Sequence, residues 1–306
     1  MRSSAIAEEL IARGEDVVFV GQVSGLPWVE ERIRSLGFSR IYSNPDDFGS
    51  NPESDVLLLD SYDMAPNEAF IDTNKWRLVI SIVDEKTPDY MCDLRIHPGL
   101  DSLWVGRSQV PILAGPKYIP LRKSITRREG ESGTGPLKIA VVAGGSDPFN
   151  FVFEIASILT GFLESFKAYL FSDSISIELF DARFHKVKIG PMLDELISGI
   201  DLVFTTSSTS SLEFIARGLP IGIVCAVDNQ MQYYKSLGEF EVASQVGYRN
   251  SFGEWDLNTG TIHQLIIDSG LRESLTNKGR GLIDLNGAGK IVDAIKTIKR
   301  VPKSQN

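Results

Sequence analysis

The stretch IDLVFTTSSTSSLEFIARGLPIGIV, Ile200 to Val224, carries the pattern from which the rest of the chain is read. It opens with an apolar run that has no polar face, the mark of a strand buried on both sides. Thr206, Ser207, Ser208, Thr209, Ser210 and Ser211 then form a hydroxyl-rich loop. The loop opens a helix in which Leu212, Phe214 and Ile215 recur at helical spacing. LPIGIVC begins the next strand. Strand, loop, helix and strand in this order are the repeating unit of a parallel α/β sheet.

The same alternation extends in both directions. LKIAVVAGGSDPFN (Leu137–Asn150) reads as a strand, a glycine turn and a helix start, and FKAYLF and HKVKIGP are further strands. Toward the N-terminus, DVLLLD (55–60), RLVISIVD (77–84) and DLRIH (93–97) are strand-like, with a helical stretch expected near Asn67 to Lys75. TRREGESGTGP (126–136) is charged, rich in Gly, Ser and Thr, and free of apolar residues, so it breaks the pattern as a linker. The expected organisation is a Rossmann-like domain over 1–126, a linker over 127–136 and a second Rossmann-like domain over 137–306. Ligands of such folds bind at the carboxyl ends of the strands, here in the cleft expected where two domains face each other.

Composition narrows the partners. The chain has 306 residues, 42% of them hydrophobic and 23% charged, with a net charge of -9. No basic face is available for nucleic acid. No apolar run approaches the ~20 residues of a membrane span, and no signal peptide is expected ahead of the first helix. Cys92 and Cys225 stand in no metal-binding spacing, so two free thiols in a reducing cytoplasm are expected. No Asp-x-Asp lies at a suitable strand end, and no metal or cofactor is expected. A monomer is the expected state.

Several loops carry chemistry. The hydroxyl run at a helix N-terminus suits a diphosphate, through hydroxyls, backbone N–H groups and the helix dipole. Glu213, one turn in, is placed to accept from the two hydroxyls of a ribose. Equally, these residues serve as a capping segment ahead of a core helix. Gly144 and Gly145 follow a strand, where glycine lets backbone approach a ligand, and Ser146, Asp147 and Asn150 can cap the next helix. Gly190 to Met192 forms a turn beside the hydroxyl loop, and Asp228, Asn229 and Gln230 end an apolar strand at the same rim. No G-x-G-x-x-G is suitably placed, which disfavours a nicotinamide or flavin dinucleotide.

GGSDPFN, DLVFTTSSTSSLEFIARGLP with Glu213, DNQ at 228–230 and NGAGKIVDAI at 286–295 together resemble the nucleotide-sugar-binding half of GT-B proteins. LLLDSYDM, ISIVDE and LAGPKYIPLR resemble the first half of one group, the UDP-sugar hydrolases of pseudaminic acid biosynthesis and the related spore-coat polysaccharide biosynthesis proteins. The lipid II-forming N-acetylglucosaminyltransferase is a more distant likeness. The resemblance implies a GT-B fold with UDP in the second domain: the 206–211 loop at the phosphates, Glu213 at the ribose, and Gly144, Gly145, Gly190, Met192, Asp228, Asn229, Gln230 and Asn286 around them. It implies a sugar near Asp60, Tyr62 and Asp84. Where this group has Gly-Ser-Thr-Ser, Ser207 or Ser208 replaces the glycine. Hydrolysis of a UDP-linked amino sugar is the leading expectation, with glycosyl transfer and an inactive sugar-nucleotide-binding protein as alternatives.

MRSSAIAEELIARGEDVVFV (1–20) reads as a helix feeding a parallel strand, and such a helix normally follows a strand of its own. In the resembled group that strand ends in G-x-G-H-x-x-R, whose histidine is expected to activate water and would fall before Met1. His97, after a short strand, is a weak substitute and reads as a solvated loop residue. His185 and His263 read as surface residues. Either a strand and turn lie upstream of Met1, or the first domain is reorganised around the gap.

Overall fold

The computed structural model describes residues 2–22, 27–84, 87–100, 108–128, 135–190 and 192–298. The chain forms two compact units, Met1–Lys123 with Asp284–Asn306, and Ser124–Ile283. Most of the expected linker, 129–134, lies outside the described residues.

The first unit begins with α1 (Arg2–Ala12), β1 (Val18–Val20), α2 (Pro27–Ser35) and β2 (Arg40–Tyr42). Strands β3 (Val56–Leu59), β4 (Leu78–Ile82), β5 (Leu94–Ile96) and β6 (Ile112–Leu113) follow. All pairings are parallel, yet the strands make two sheets, β1-β2 and β3-β4-β5-β6. Every position of β4 is buried, as expected of a strand covered on both faces. One face meets α1 through Ile6, which is fully buried against Ile80, Ile82, Leu94 and Ile96. The other buries Leu57, Leu59, Val79 and Trp76. The helix expected near 67–75 is instead two single 3-10 turns, Ala69–Ile71 and Thr73–Lys75. Asp72 accepts from the Asn74 N–H and the Trp76 indole donates to the Phe70 carbonyl, so side chains take over backbone bonding that a continuous helix would use.

The second unit holds β7 (Leu137–Val142), α3 (Phe151–Thr160), β8 (Phe166–Phe171), β9 (Phe184–Val187), α4 (Met192–Leu196) and β10 (Leu202–Thr206). It continues with α5 (Thr209–Arg217), β11 (Ile221–Cys225), α6 (Met231–Glu239), β12 (Ser244–Arg249), β13 (Trp255–Leu257), α7 (Thr259–Ile267) and α8 (Ser269–Leu282). One seven-stranded sheet results, in the order β13-β12-β11-β10-β7-β8-β9. Among the described residues only the β12–β13 pair is antiparallel. The chain winds outward from β7 to β9, then returns to place β10 on the other side of β7. The order therefore reverses between β7 and β10, the position at which open α/β sheets form a ligand crevice.

The boundary expected at 136/137 differs from the contact division, and so does the membership of the last helix, α9 (Gly287–Thr297). Ile291, Val292 and Ile295 of α9 join the Ile6 cluster of the first unit. Gly287 makes this possible, because a Cβ there would stand 2.0 Å from the Ile119 carbonyl oxygen. Arg13 closes the contact on Asp293 and the Gly289 carbonyl.

Candidate functional site

At the carboxyl edge of the second sheet the hydroxyl run divides into two sets. Thr206 and Ser207 are buried, and their hydroxyls are spent on backbone. Thr206 Oγ1 donates to the Ala143 carbonyl at 2.9 Å, tying the loop after β10 to the loop after β7. Ser207 Oγ donates to the carbonyls of Val224 (3.0 Å) and Gln230 (3.2 Å), tying it to the loop after β11. Ser211 is also buried, its hydroxyl 2.6 Å from the Ser208 carbonyl. A direct ligand role expected for Thr206 and Ser207 is thus replaced by a bracing role. A buried hydroxyl finds its partner in the nearest carbonyl. Ser208, Thr209 and Ser210 remain half-buried at the start of α5, where the first N–H groups of a helix have no partner within it. Glu213 lies half-buried one turn further on.

Two glycine turns lie along the same edge: Gly144 follows β7, next to β10, whereas Gly190 follows β9, three strands from β10 and not beside the hydroxyl loop as expected. Gly144 after β7 has φ 126° and Gly190 after β9 has φ 142°, conformations that favour glycine. A Cβ on either would meet nothing within 4 Å, so both turns open onto unfilled space. Gly145 adjoins the first of them. Met192 begins α4, and its side chain lies outside the described residues. The start of α3, by contrast, is already occupied. Both carboxylate oxygens of Asp147 accept from its first-turn N–H groups, Phe151 at 2.8 Å and Val152 at 2.9 Å. Burial raises the Asp147 pKa, against the pull of those two bonds. Of the two helix starts at the sheet reversal, α5 is therefore the one open to an anion.

At the rim, Asp228 and Asn229 are exposed. Gln230 is not free to bind, because its side-chain oxygen accepts from the Ala226 N–H at 3.0 Å. Asn286 falls in the first unit, at the start of α9, with its side-chain oxygen over Gly289.

In the first unit, Asp60 and Tyr62 follow β3 and Asp84 follows β4. The structure gathers them around Arg2, which the sequence matches to the last position of the G-x-G-H-x-x-R pattern without implying a role for it. Arg2 binds Asp60 Oδ1 through Nε (3.0 Å) and Nη2 (2.8 Å), and Asp84 Oδ2 through Nη1 (2.8 Å). Nη2 also reaches the Tyr62 hydroxyl at 3.2 Å, and that hydroxyl donates to Asp84 Oδ2. Thr87 donates to Asp84 Oδ1, so both Asp84 oxygens are engaged. Burial opposes the Arg2 charge, but Asp60 and the hydrogen bonds to both carboxylates outweigh it and raise its pKa. Burial, then the bond to Asp84, pushes the Tyr62 phenol up to about 12, while Arg2 pulls the other way.

Of the histidines, His97 differs from expectation, whereas His185 is exposed and the His263 side chain is 39% exposed, as expected of surface residues. His97 is 1% exposed rather than solvated; its Nδ1 lies 3.0 Å from the Val83 carbonyl, which satisfies a buried ring nitrogen. His263 pairs with Glu164 at 2.6 Å, and His185 lies against the Tyr169 ring.

No family model and no curated protein matches the sequence. Solved structures do match. MurG of Acinetobacter baumannii is 13% identical, with 97% of this chain and 95% of that chain covered and a TM-score of 0.63. MnaA of S. aureus, determined with UDP, is 11% identical over 97% and 93%, at 0.66. Arabidopsis thaliana UGT89C1, complexed with UDP-L-rhamnose, is 12% identical over 96% and 95%, at 0.67. At such identities the likeness is one of fold. The chain has the GT-B architecture, α/β with two Rossmann-like units. Among the described residues no helix is long and apolar enough to cross a membrane.

Proposed function

We propose that the protein is a nucleotide-sugar enzyme that holds the diphosphate of a UDP-sugar at the start of α5 and releases UDP. One observation carries this reading. At the reversal of the second sheet, the start of α5, whose N-cap Ser208 makes no side-chain capping bond, follows β10 beside the positive-φ Gly144 turn after β7, which opens onto unfilled space. The N–H groups of Thr209 and Ser210 and the hydroxyls of Ser208 to Ser210 would face the phosphates. Glu213 would accept from the ribose hydroxyls, and Asp228 and Asn229 would complete the rim.

In the first unit we assign proton handling to Asp60 rather than to Asp84. Both oxygens of Asp84 are engaged, whereas Asp60 meets Arg2 through Oδ1 alone. Tyr62, half exposed and held by Asp84, would orient a sugar hydroxyl. Transfer to water, releasing free sugar, is the finer reading that the sequence motifs favour. Transfer to an alcohol acceptor is favoured by the fold shared with glycosyltransferases.

Incubation with UDP-sugars, with and without acceptor alcohols, tests the assignment through UDP release. Release without acceptor identifies a hydrolase, and release only with acceptor identifies a transferase. Binding of UDP with no turnover leaves the nucleotide site standing and removes the catalytic claim. The Glu213→Ala variant should bind UDP at least about tenfold more weakly, the loss of one good hydrogen-bonded contact of about 1.4 kcal/mol. Unchanged affinity would remove Glu213 from the ribose.

A further inference from the structure

The amino edge of the second sheet, opposite the edge that carries the α5 start, holds a cavity of about 190 Å³. Arg128, Pro136, Lys138, Lys167, Gly199 and Asp201 line it, all within the second unit. A water molecule's share of liquid volume is about 30 Å³, so the space admits a small molecule. Lys138 and Lys167 stand second in β7 and β8 and are direct partners in the parallel register. Residues paired in this way leave the sheet on the same face, from strands about 4.8 Å apart. Like charges so placed weaken a sheet. Both lysines are exposed, and among the described residues no carboxylate pairs with either.

Asp201, whose N–H donates to the Lys138 carbonyl at 2.8 Å, is the acidic group nearest to hand. Its carboxylate is already spent. Oδ1 accepts from Arg128 Nη2 at 2.8 Å, and Oδ2 accepts from the Lys138 backbone N–H at 3.0 Å. The same carboxylate also favours the charged form of Arg272. The lining thus sets Arg128, Lys138 and Lys167 against Asp201 alone, an excess of two positive charges in a protein whose net charge is -9. We propose that this cavity binds a dianion of the phosphate type, as the free ion or as a small phosphate monoester, held by the ammonium groups of Lys138 and Lys167. A phosphate monoester carries about -1.5 to -2 charge at neutral pH, which matches the excess. Lysine meets phosphate as a point charge on a flexible stem, so two adjacent stems can close on one ion. Pro136 and the methylene stems supply apolar wall for the body of a monoester. The ligand accounts for the lysine pair, which repels when the cavity is empty and is neutralised when it is filled. The inference does not rest on the nucleotide reading, since the α5 start lies at the other edge of the sheet.

Acetylation of lysine Nζ on the full chain, followed residue by residue by mass spectrometry, tests the site. Inorganic phosphate and methyl phosphate are the probes, at about pH 8, where both are dianions. Sodium chloride at matched ionic strength controls for screening. At about tenfold excess of probe over Kd about one site in eleven is free, so Lys138 and Lys167 should react about tenfold more slowly. Exposed Lys75 and Lys235 are the references and should react equally in all three salts. Protection by inorganic phosphate supports a site for the free ion, and protection by methyl phosphate alone supports a site for a monoester. Lys167→Gln should abolish the protection of Lys138. Equal labelling of both lysines in chloride and in the two probes, slowing shared by Lys75 and Lys235, or protection of Lys138 that survives Lys167→Gln overturns the proposal.

Discussion

Replacing Ser207 by alanine separates bracing from ligand binding within the hydroxyl loop. The side chain is fully buried and donates to two carbonyls, Val224 and Gln230. The Val224 carbonyl keeps a second donor, the Ser207 N–H at 2.8 Å, so the substitution does not strand that oxygen. At about 0.5–1.5 kcal/mol net for each hydrogen bond, the expected loss is about 1–2 kcal/mol. For a unit of this size that lowers the melting temperature by about 2–8 °C, at about 2–4 °C per kcal/mol. Ser210→Ala is the counterpart. Ser210 is half-buried on the first turn of α5, and a substitution outside packed core alters stability by at most about 0.5 kcal/mol. Thermal scans with and without UDP distinguish the two. Ser207→Ala should melt early yet keep the upward shift with UDP, which reaches about 2.7 kcal/mol at a hundredfold excess over Kd. Ser210→Ala should melt with the parent and lose part of the shift. An unchanged melting temperature for Ser207→Ala, together with a lost UDP response, would refute the bracing assignment.

Three further outcomes are expected. The Tyr62 phenol, held protonated by burial and Asp84, should ionise near pH 12, read as phenolate absorbance of the parent minus Tyr62→Phe. Its folded pKa lies above the unfolded value of about 10, so its contribution to stability is complete below about pH 10 and lost as pH rises toward 12; ionisation at 10 would contradict the contact. Gly287→Ala drives a Cβ into the Ile119 carbonyl and should destabilise the first unit by about 2 kcal/mol or more, while the second unit, followed by exchange at β10, stays unchanged. Both thiols have raised pKa values through burial, with Asp228 adding to the effect at Cys225, so iodoacetamide at neutral pH should label neither until the protein is unfolded.

The second sheet was legible because its strands are written as unbroken apolar runs, such as Leu202 to Phe204 and Ile221 to Val224, that have few other places to go. The loop after β10 was legible as a site but not in its division of labour. A serine that braces and a serine that faces a ligand are the same letter, and only burial separates Ser207 from Ser210. The partners of Arg2 were not legible, because Asp60 and Asp84 stand 58 and 82 residues away. His97 was misjudged for a related reason. The carbonyl that makes its burial tolerable belongs to another strand end, at Val83. Helix α9 shows a helical pattern of Ile291, Val292 and Ile295, but periodicity says nothing about which unit receives it.

That last helix has a bearing on how the protein is made. The first unit contains both Met1–Lys123 and Asp284–Asn306, while the second is a single continuous run. On a ribosome, the second unit is complete in sequence before the first. Residues 1–123 must wait for α9, with Ile6 and its neighbours lacking Ile291 and Val292. Since domains fold as units during synthesis, the later half of the chain is expected to fold first. Synthesis of α9, not of the chain's first strands, completes the earlier half.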